Sequence, residues 1–346
     1  MAALPQKKIS RLPAWLLPVL CLAAAIALPF VVPVYYVQFA SKVLILGVLA
    51  MALNLVVGQG GLVSLCHAAF FGLSGYVLAL MSPKYDAASL LLTLPAAVLA
   101  ASFAALVIGA LALRTRGVYF IMVTLAFGEM LFYLFHDADF AGGSDGAFIN
   151  VKPELTIAGV RLLDLDKPLT FYFVVLAVTV AAIALLVTVV RSPFGHALAA
   201  ARDNERRARA LGFPIFRIRL IAFVLSGALA GVAGYLAAVQ FGFVAPQMLG
   251  WHQSATVLVM VLIGGLSTVT GPLIGALALL GLEEVLKATL EQWKLAEGLI
   301  VIAIVLLLPN GVRQLWPMLF GDAEPKPARG KRATPAPTPA PETGHA

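Results

Sequence analysis

The chain has 346 residues, 61% of them hydrophobic and 12% charged, with a formal charge of +7. Soluble domains run near half apolar and a quarter charged, so this composition excludes one and indicates an integral membrane protein. The basic excess does not point to nucleic acid, because the Lys and Arg residues sit between apolar runs, where they orient a membrane protein and meet an anionic lipid leaflet.

The apolar runs are long and continuous rather than short and alternating, which selects helices over a β-barrel. The expected fold is an all-α integral membrane protein, a polytopic bundle of about ten spans. In chain order they fall near 14–34, 43–58, 62–81, 89–113, 118–136, 169–190, 220–241, 254–269, 272–287 and 295–309. Lys7, Lys8 and Arg11 before the first run imitate a signal peptide, but no soluble domain follows, so a retained first helix is expected. The runs at 254–269 and 272–287 fall short of the ~20 residues that cross a bilayer. They are expected to be broken or re-entrant helices, tolerated only where protein or a water-filled path covers the backbone. Cys21 and Cys66 lie in apolar runs and the five histidines lack ligand spacing, so neither a disulfide framework nor a metal site is read.

Charge placement sets the orientation. With the N-terminus inside, the inner segments are 1–13, 114–117, 191–219, the turn near 270 and 310–346. They hold 17 of the 24 Lys and Arg. The positive-inside rule therefore selects N-in, C-in. The loop 137–168 is then extracytoplasmic, with six acids against Lys152, Arg161 and Lys167. Residues 14–320 form the membrane domain, preceded by a cytoplasmic N-terminus, 1–13. Residues 321–346, rich in Pro and Ala, read as a disordered cytoplasmic tail unable to bury a core.

Four stretches in the membrane domain invite a chemical reading. Gly58-Gln59-Gly60-Gly61 breaks a helix, and polar Ser64 and His67 follow. The stretch suits a break lining the translocation path through Gln59, Ser64 and His67. It suits equally a turn whose small residues allow close helix packing. His67 alone reads more readily as an interhelical hydrogen-bonder than as a ligand. Glu129 is by these boundaries the one acid well inside a span, and an intramembrane carboxylate is a functional-site hypothesis by default. A structural partnership with Ser, Thr or His on a neighbouring helix is the slightly favoured alternative. Gly142-Gly143-Ser144-Asp145-Gly146 has the chemistry of a tight turn. Ser226-Gly227 through Gly231 and Gly234 read as a close-packing helix face. A weak echo, GGL at 60–62 and again at 264–266, fits a duplicated transporter fold.

The stretch Arg191 to Arg219 is the most charged between two spans, with seven arginines against Asp203 and Glu205. Ser192-Pro193 is a helix start and Gly212 followed by Pro214 a helix stop. The reading is one short helix, with Leu198, Ala201, Ala208 and Leu211 on one side and Arg202, Arg206 and Arg209 on the other. Asp203–Arg207 and Glu205–Arg209 are i,i+4 pairs in the better orientation.

No phosphate-binding loop, zinc-protease motif, nucleophile elbow or paired-carboxylate pattern occurs. Neither an engine nor a catalytic constellation is visible, so no enzyme activity and no cofactor bound by this chain are read. Active transport by it requires energy from another chain.

Several stretches together resemble the permease subunits of branched-chain amino acid ABC importers, of the LivM type. They are GQGGLVSLCHAAFFGLSGY (58–76), RTRGVYFIMVTLAFGEM (114–130), GGSDG (142–146), SPFGHALAAARDNERRARALGF (192–213), FVLSGALAGVAGYL (223–236), VLIGGLSTVTGPLIGA (261–276) and LLPNG (307–311). The resemblance spans about 40 to 320. Cys66 departs from it, since relatives commonly carry glycine there, and so does the Pro-rich tail. The resemblance implies a second permease of the LivH type, two cytoplasmic ATPases of the LivG and LivF type that use the ATP, and an extracytoplasmic binding protein, all in a bacterial-type inner membrane. It implies that Ser192, Gly195, Ala200, Arg202, Asn204, Glu205, Arg206, Ala208, Leu211 and Gly212 form the segment seated in the ATPase. The apolar face and Gly212 would then pack on the permease, and the arginine face would meet the ATPase. Residues 142–146 would face the binding protein. Branched-chain amino acids are the implied cargo. Urea, short amides or aromatic acids on the same architecture are the alternative, and an ion-coupled secondary carrier a more distant one.

Overall fold

A computed structural model describes residues 16–83, 85–157, 160–163, 165–266 and 268–307. The segments read as a cytoplasmic N-terminus and a disordered tail, and the LLPNG stretch beyond 307, lie outside the described residues.

Each expected span overlaps one helix. These are α1 (Leu16–Val31), α2 (Val34–Asn54, continued by a π-helical turn, Leu55–Gln59), α3 (His67–Met81), α4 (Leu90–Ala112), α5 (Val118–His136) and α6 (Pro168–Arg191). After two short helices, α7 (Pro193–Asp203) and α8 (Glu205–Ala210), follow α9 (Ile215–Phe241), α10 (Trp251–Gly264), α11 (Gly271–Thr289) and α12 (Trp293–Leu307). Proline stands in the first turn of α6, α7 and α11, where its missing N–H costs nothing. Among the described residues five helices are long and apolar enough to cross a membrane: α2 with its π turn, α4, α5, α6 and α9.

Two of the boundaries that differ from expectation have a clear local cause. Helix α2 starts at Val34 rather than 43, because Pro33 begins it and Lys42 does not interrupt it. The expected span at 62–81 is helical only from His67, since Gly61 takes a left-handed conformation (φ 68°) and the chain runs out of helix to Cys66. That leaves α3 with 15 residues and α10 with 14, both shorter than a full crossing.

Helices α2 and α9 form the centre. In their most apolar windows 83% and 67% of residues are buried, against 28%, 22% and 28% in α4, α5 and α6, whose outer sides are left for lipid or partners. Helix α9 packs on α2, α3 and α4, while α6 and the α10–α11 hairpin pack on α2. Within a bilayer, association comes from close van der Waals contact rather than from expelling water, so small residues sit at the crossings. Gly227 meets Ala105, Gly231 meets Ala101, and a Cβ on Gly234 would lie 1.8 Å from the Phe71 carbonyl oxygen. Likewise a Cβ on Gly275 would lie 1.9 Å from the Met260 carbonyl, which holds α10 against α11.

The connecting segments sort to two ends. At one end lie α7–α8, the Gly58–Gly61 turn, the α4–α5 turn and residues 265–270, joined by contacts described below. At the other, β1 (Ala147–Phe148) pairs antiparallel with β4 (Phe243–Val244). There β2 (Leu155–Ile157) and β3 (Val160–Leu163) form an antiparallel pair, and Ser89 bridges Glu154.

Candidate functional site

The glycine break after α2 exposes backbone groups that need partners inside the bundle. Its first amides turn back onto the π turn: Gly60 N–H donates to Leu55 O, Gly61 to Val57 O and Leu62 to Val56 O. The next ones are met by side chains from distant helices. Leu65 N–H donates to Thr124 Oγ1 of α5 (3.3 Å), and Ala68 N–H to Ser254 Oγ of α10 (3.1 Å). Gly58 is buried where a Cβ would meet the Leu266 carbonyl at 2.4 Å, and Asn54 Nδ2 donates to Thr268 O (2.9 Å). The two GGL echoes thus meet at the same end of the bundle.

His67 is completely buried at the start of α3. Ser226 Oγ of α9 donates to the Ala52 carbonyl, so it accepts from His67 Nε2 (2.7 Å). His67 Nδ1 then accepts from the Ser64 hydroxyl (3.1 Å), which in turn accepts from the Cys66 thiol (3.3 Å). Every polar atom in this chain of hydrogen bonds has a partner, with the imidazole neutral and protonated on Nε2. The geometry is that of an interhelical tie among α2, α3 and α9. Of the residues read as path-lining, Ser64 and His67 are enclosed, and Gln59 is partly exposed beside the turn.

The arginine-rich stretch departs from the single helix expected. Asn204 is extended (φ −155°, ψ 96°) and splits it into α7 and α8, each with its own cap. Ser192 Oγ accepts from Gly195 N–H (3.4 Å), and Asn204 Oδ1 from Arg207 N–H (3.0 Å). The break removes the expected Asp203–Arg207 pair, and Asp203 pairs with Arg202 instead (3.1 Å). The Glu205–Arg209 pair does form (2.8 Å).

The faces also differ. Leu198, Ala201 and Ala208 are buried, with Gly195 close against Val189 and Val190. Arg202, expected on the outward face, reaches inward instead: its Nη1 donates to the Gly58 carbonyl (2.6 Å), and its stem lies against Gly61. Leu211 and Gly212, expected against the permease, are exposed. Leu211 retains 70% of its surface, and nothing lies within 4 Å of a Cβ placed on Gly212. Gly212 is instead the left-handed residue (φ 85°) that ends α8. Ala200 is partly buried, and Asn204, Arg206, Arg207 and Arg209 are exposed.

Glu205 ties this arm to the bundle. Its carboxylate meets Arg219 at the start of α9 (3.0 Å), Arg116 of the α4–α5 turn (3.1 Å) and Arg209 (2.8 Å). Burial alone raises the carboxyl. The Arg219 hydrogen bond and the charges of Arg219, Arg116 and Arg209 outweigh it and hold the group below its ordinary range.

Glu129 does not meet a Ser, Thr or His. Its Oε1 accepts from Trp251 N–H (2.9 Å) at the start of α10, a helix whose own cap residue, Gly250, has no side chain to offer. The carboxylate serves as a cap donated by a neighbour, at the end of the helix that favours negative charge. It also lines an open hollow of about 790 Å³ with Met130, Tyr133, Leu134 and Asp137. Nor is it the one acid in a long helix, since α11 contains Glu283 and Glu284. Residues 142–146 form the tight turn their chemistry suggests. Gly142, Gly143 and Gly146 have positive φ, and a Cβ on Gly146 would lie 2.3 Å from the Val244 carbonyl, beside the β1–β4 pair. Ser144 and Asp145 are exposed and hydrogen-bonded to each other (3.2 Å).

Sequence reasoning missed the roles of Thr124, Ser226 and Ser254, which complete the break from afar, and of Arg219, the largely shielded partner of Glu205. An isolated hydroxyl in an apolar helix gives a local signal too weak to separate it from a solvent-side or backbone-bonded one. Lys42 was placed outside a span, whereas it lies inside α2. Among the described residues no group of three or more His, Cys, Asp or Glu side chains is placed to hold a metal ion.

Residues 35–308 match the family described as branched-chain amino acid transport system, permease component. The chain is 31% identical over 310 residues to the high-affinity branched-chain amino acid transport system permease protein LivM of Salmonella typhimurium and of Escherichia coli K12. The match covers 84% of this chain and 73% of each of those proteins. It is 27% identical over 135 residues to the high-affinity branched-chain amino acid transport system permease protein LivH of Escherichia coli K12, covering 38% of this chain and 43% of LivH. It is 26% identical over 273 residues to the L-arabinose ABC transporter permease protein AraH of Azospirillum brasilense, covering 76% of this chain and 77% of AraH. No solved structure gives a significant match.

Proposed function

Because the chain belongs to the permease family of branched-chain amino acid transport systems, we propose that it is the membrane-spanning subunit of an importer that carries branched-chain amino acids into the cytoplasm. Family membership makes it a multi-pass membrane permease of the ABC class, a transport subunit of a multi-subunit system with a second permease. The cargo rests on the 31% identity to LivM across most of both chains. ATP is bound and hydrolysed by two cytoplasmic ATPase subunits, and the cargo is delivered by an extracytoplasmic binding protein, in a bacterial inner membrane with both termini inside.

The observation that carries the ATPase reading is the α7–α8 arm. It is capped at both of its helices, seated by Arg202 on the α2 break and tied by Glu205 to α9 and the α4–α5 turn. A short body fixed at several points transmits displacement instead of absorbing it. Its exposed side offers Arg206, Arg207, Arg209 and Leu211 to a partner. Arg202 belongs to the seat and Arg206 to the docking side. The extracytoplasmic end is then the one with the small strands, where Ser144 and Asp145 are available to a binding protein.

The test is reconstitution with candidate ATPases and binding protein, with ATP-dependent uptake of labelled leucine measured against urea and arabinose. Leucine uptake that requires all components is the expected result. Arabinose uptake would favour the second reading, which the AraH relative supports. Leucine uptake by this chain alone, driven by an ion gradient, would overturn the ABC mechanism. Within the complex, Arg206→Glu should sever hydrolysis from uptake, and full coupling in that variant would remove α8 from the docking surface.

A further inference from the structure

A half-enclosed cavity of about 320 Å³ lies among α2, α6, α9 and α11, at the end of the bundle that carries the strands. Its volume is at the lower edge of the range of small-molecule sites. Three polar groups on its wall are incompletely matched. Lys42 of α2, about 12 Å along the helix from its start by the rise per residue, lines the cavity and is partly buried. Among the described residues it has no ion pair. Glu284 of α11 takes the Tyr35 hydroxyl on Oε1, and among the described residues no partner is placed on its other oxygen. Gln240 of α9 donates its Nε2 to the Gln38 carbonyl (2.7 Å), which fixes the amide orientation and leaves Oε1 buried without a donor. The Lys152–Asp166 pair also borders the cavity (3.9 Å), and Phe171 gives the wall an apolar side.

The unmet demands are complementary. Glu284 and Gln240 Oε1 are acceptors that want N–H donors, and Lys42 is a donor that wants an oxyanion. Water alone can satisfy single groups. A lysine inside a membrane helix, together with a carboxylate and a buried carbonyl on the other helices that line the cavity, calls for a ligand carrying both signs. We propose that this cavity binds a small zwitterion bearing a primary ammonium and an oxyanion. The ammonium sits toward Glu284 and Gln240, the oxyanion meets Lys42, and an aliphatic portion rests on Phe171. Two sources offer this chemistry: a free α-amino acid and the phosphoethanolamine headgroup of a lipid.

The test uses the full chain, with any subunits that accompany it, in nanodiscs of phosphatidylglycerol. Binding of labelled L-leucine is measured directly, with isovalerate and isoamylamine as competitors that each lack one charge. Both should compete at least tenfold less well than unlabelled leucine. Lys42→Met and Glu284→Gln should each weaken leucine binding at least tenfold, whereas Glu291→Gln, away from the cavity, should stay within twofold. Gel filtration and helix content establish that each variant is folded, and Lys42→Gln replaces Lys42→Met if the latter is not. In a second arm phosphatidylethanolamine is added and the retained lipid is identified by mass spectrometry. Selective retention by the wild type, lost in the Lys42 and Glu284 variants, would name the lipid as the source. The proposal fails if neither probe binds, or if the variants bind like the wild type. The leucine arm rests on the amino acid cargo, so ATP-driven leucine uptake by the assembled complex is measured in parallel. Persistent uptake with no binding in either arm overturns the site and leaves the cargo standing.

Discussion

Replacing Glu205 with Ala should release α8 from the bundle. Glu205 is 23% exposed and Arg219 only 16%, so that pair is largely shielded, whereas Arg116 and Arg209 are 71% and 64% exposed. The two exposed pairs contribute at most about 0.5 kcal/mol each after solvent screening. The Arg219 pair carries most of the effect, because its loss strands a guanidinium whose Nε is already buried without a partner. A charge-assisted hydrogen bond of this kind is worth about 2 kcal/mol. That much local destabilisation raises the opened population roughly 30-fold. Trypsin cleavage after Arg206, Arg207 and Arg209 should accelerate by a similar factor when opening and closing are faster than cleavage. Glu205→Gln keeps an acceptor for Arg219 and should fall between the two. The pH dependence has a definite sign. The folded carboxyl lies below its ordinary range, so its contribution is complete above about pH 4.3 and disappears as pH falls through the depressed value. Hydrogen exchange at 205–210, corrected for intrinsic rates, should rise in that acid window in the wild type and not in Glu205→Ala. Trypsin rates in Glu205→Ala within threefold of the wild type would refute the clamp.

Gly234→Ala would place a methyl group 1.8 Å from the Phe71 carbonyl and force α3 from α9, lowering the thermal midpoint in detergent by several degrees or preventing assembly. Gly281→Ala has open space and should be neutral or stabilising by up to ~1 kcal/mol, so equal midpoints for the two would contradict the packing. Glu129→Gln retains an acceptor for Trp251 N–H, and uptake by the assembled complex should stay near wild type, while abolished uptake would assign the carboxylate a protonic role. His67→Ala strands the hydroxyls of Ser64 and Ser226 and should cost about 2–4 kcal/mol, read as a loss of thermal stability.

Local signals carried much of the fold, because an apolar run long enough to cross a bilayer and a capped helix are both written in neighbouring residues. Ser192-Pro193 and the glycine at 212 marked the ends of the arginine-rich arm correctly. Asn204 was legible in principle, since asparagine is a strong N-cap, but inside a run of helix-forming residues it was outweighed by pairing rules that assumed continuity. The expected span begins at 43, whereas α2 begins after Pro33, a helix-start signal that lies inside the apolar run read as the first span. The side on which Arg202 falls depends on the packing of α7 against the α2 break, more than a hundred residues earlier in the chain. No local pattern contains that information. The same holds for the partners of His67 and Ala68, which lie 159 and 186 residues away.

Those separations have a consequence for how the protein is made. Helix α3 emerges from the ribosome long before α9 and α10, which supply Ser226 and Ser254. At about 5–20 residues per second, the gap is roughly 10–40 s. Throughout that interval the Ala68 amide and Nε2 of His67 lack the partners they have in the finished bundle, whereas Leu65 finds Thr124 of α5 much sooner. The ties between the head of α3 and the later helices are therefore completed among the last parts, after most of the spans have been threaded. A truncation that stops short of Ser254 leaves α3 translated and apolar, yet without its final cap.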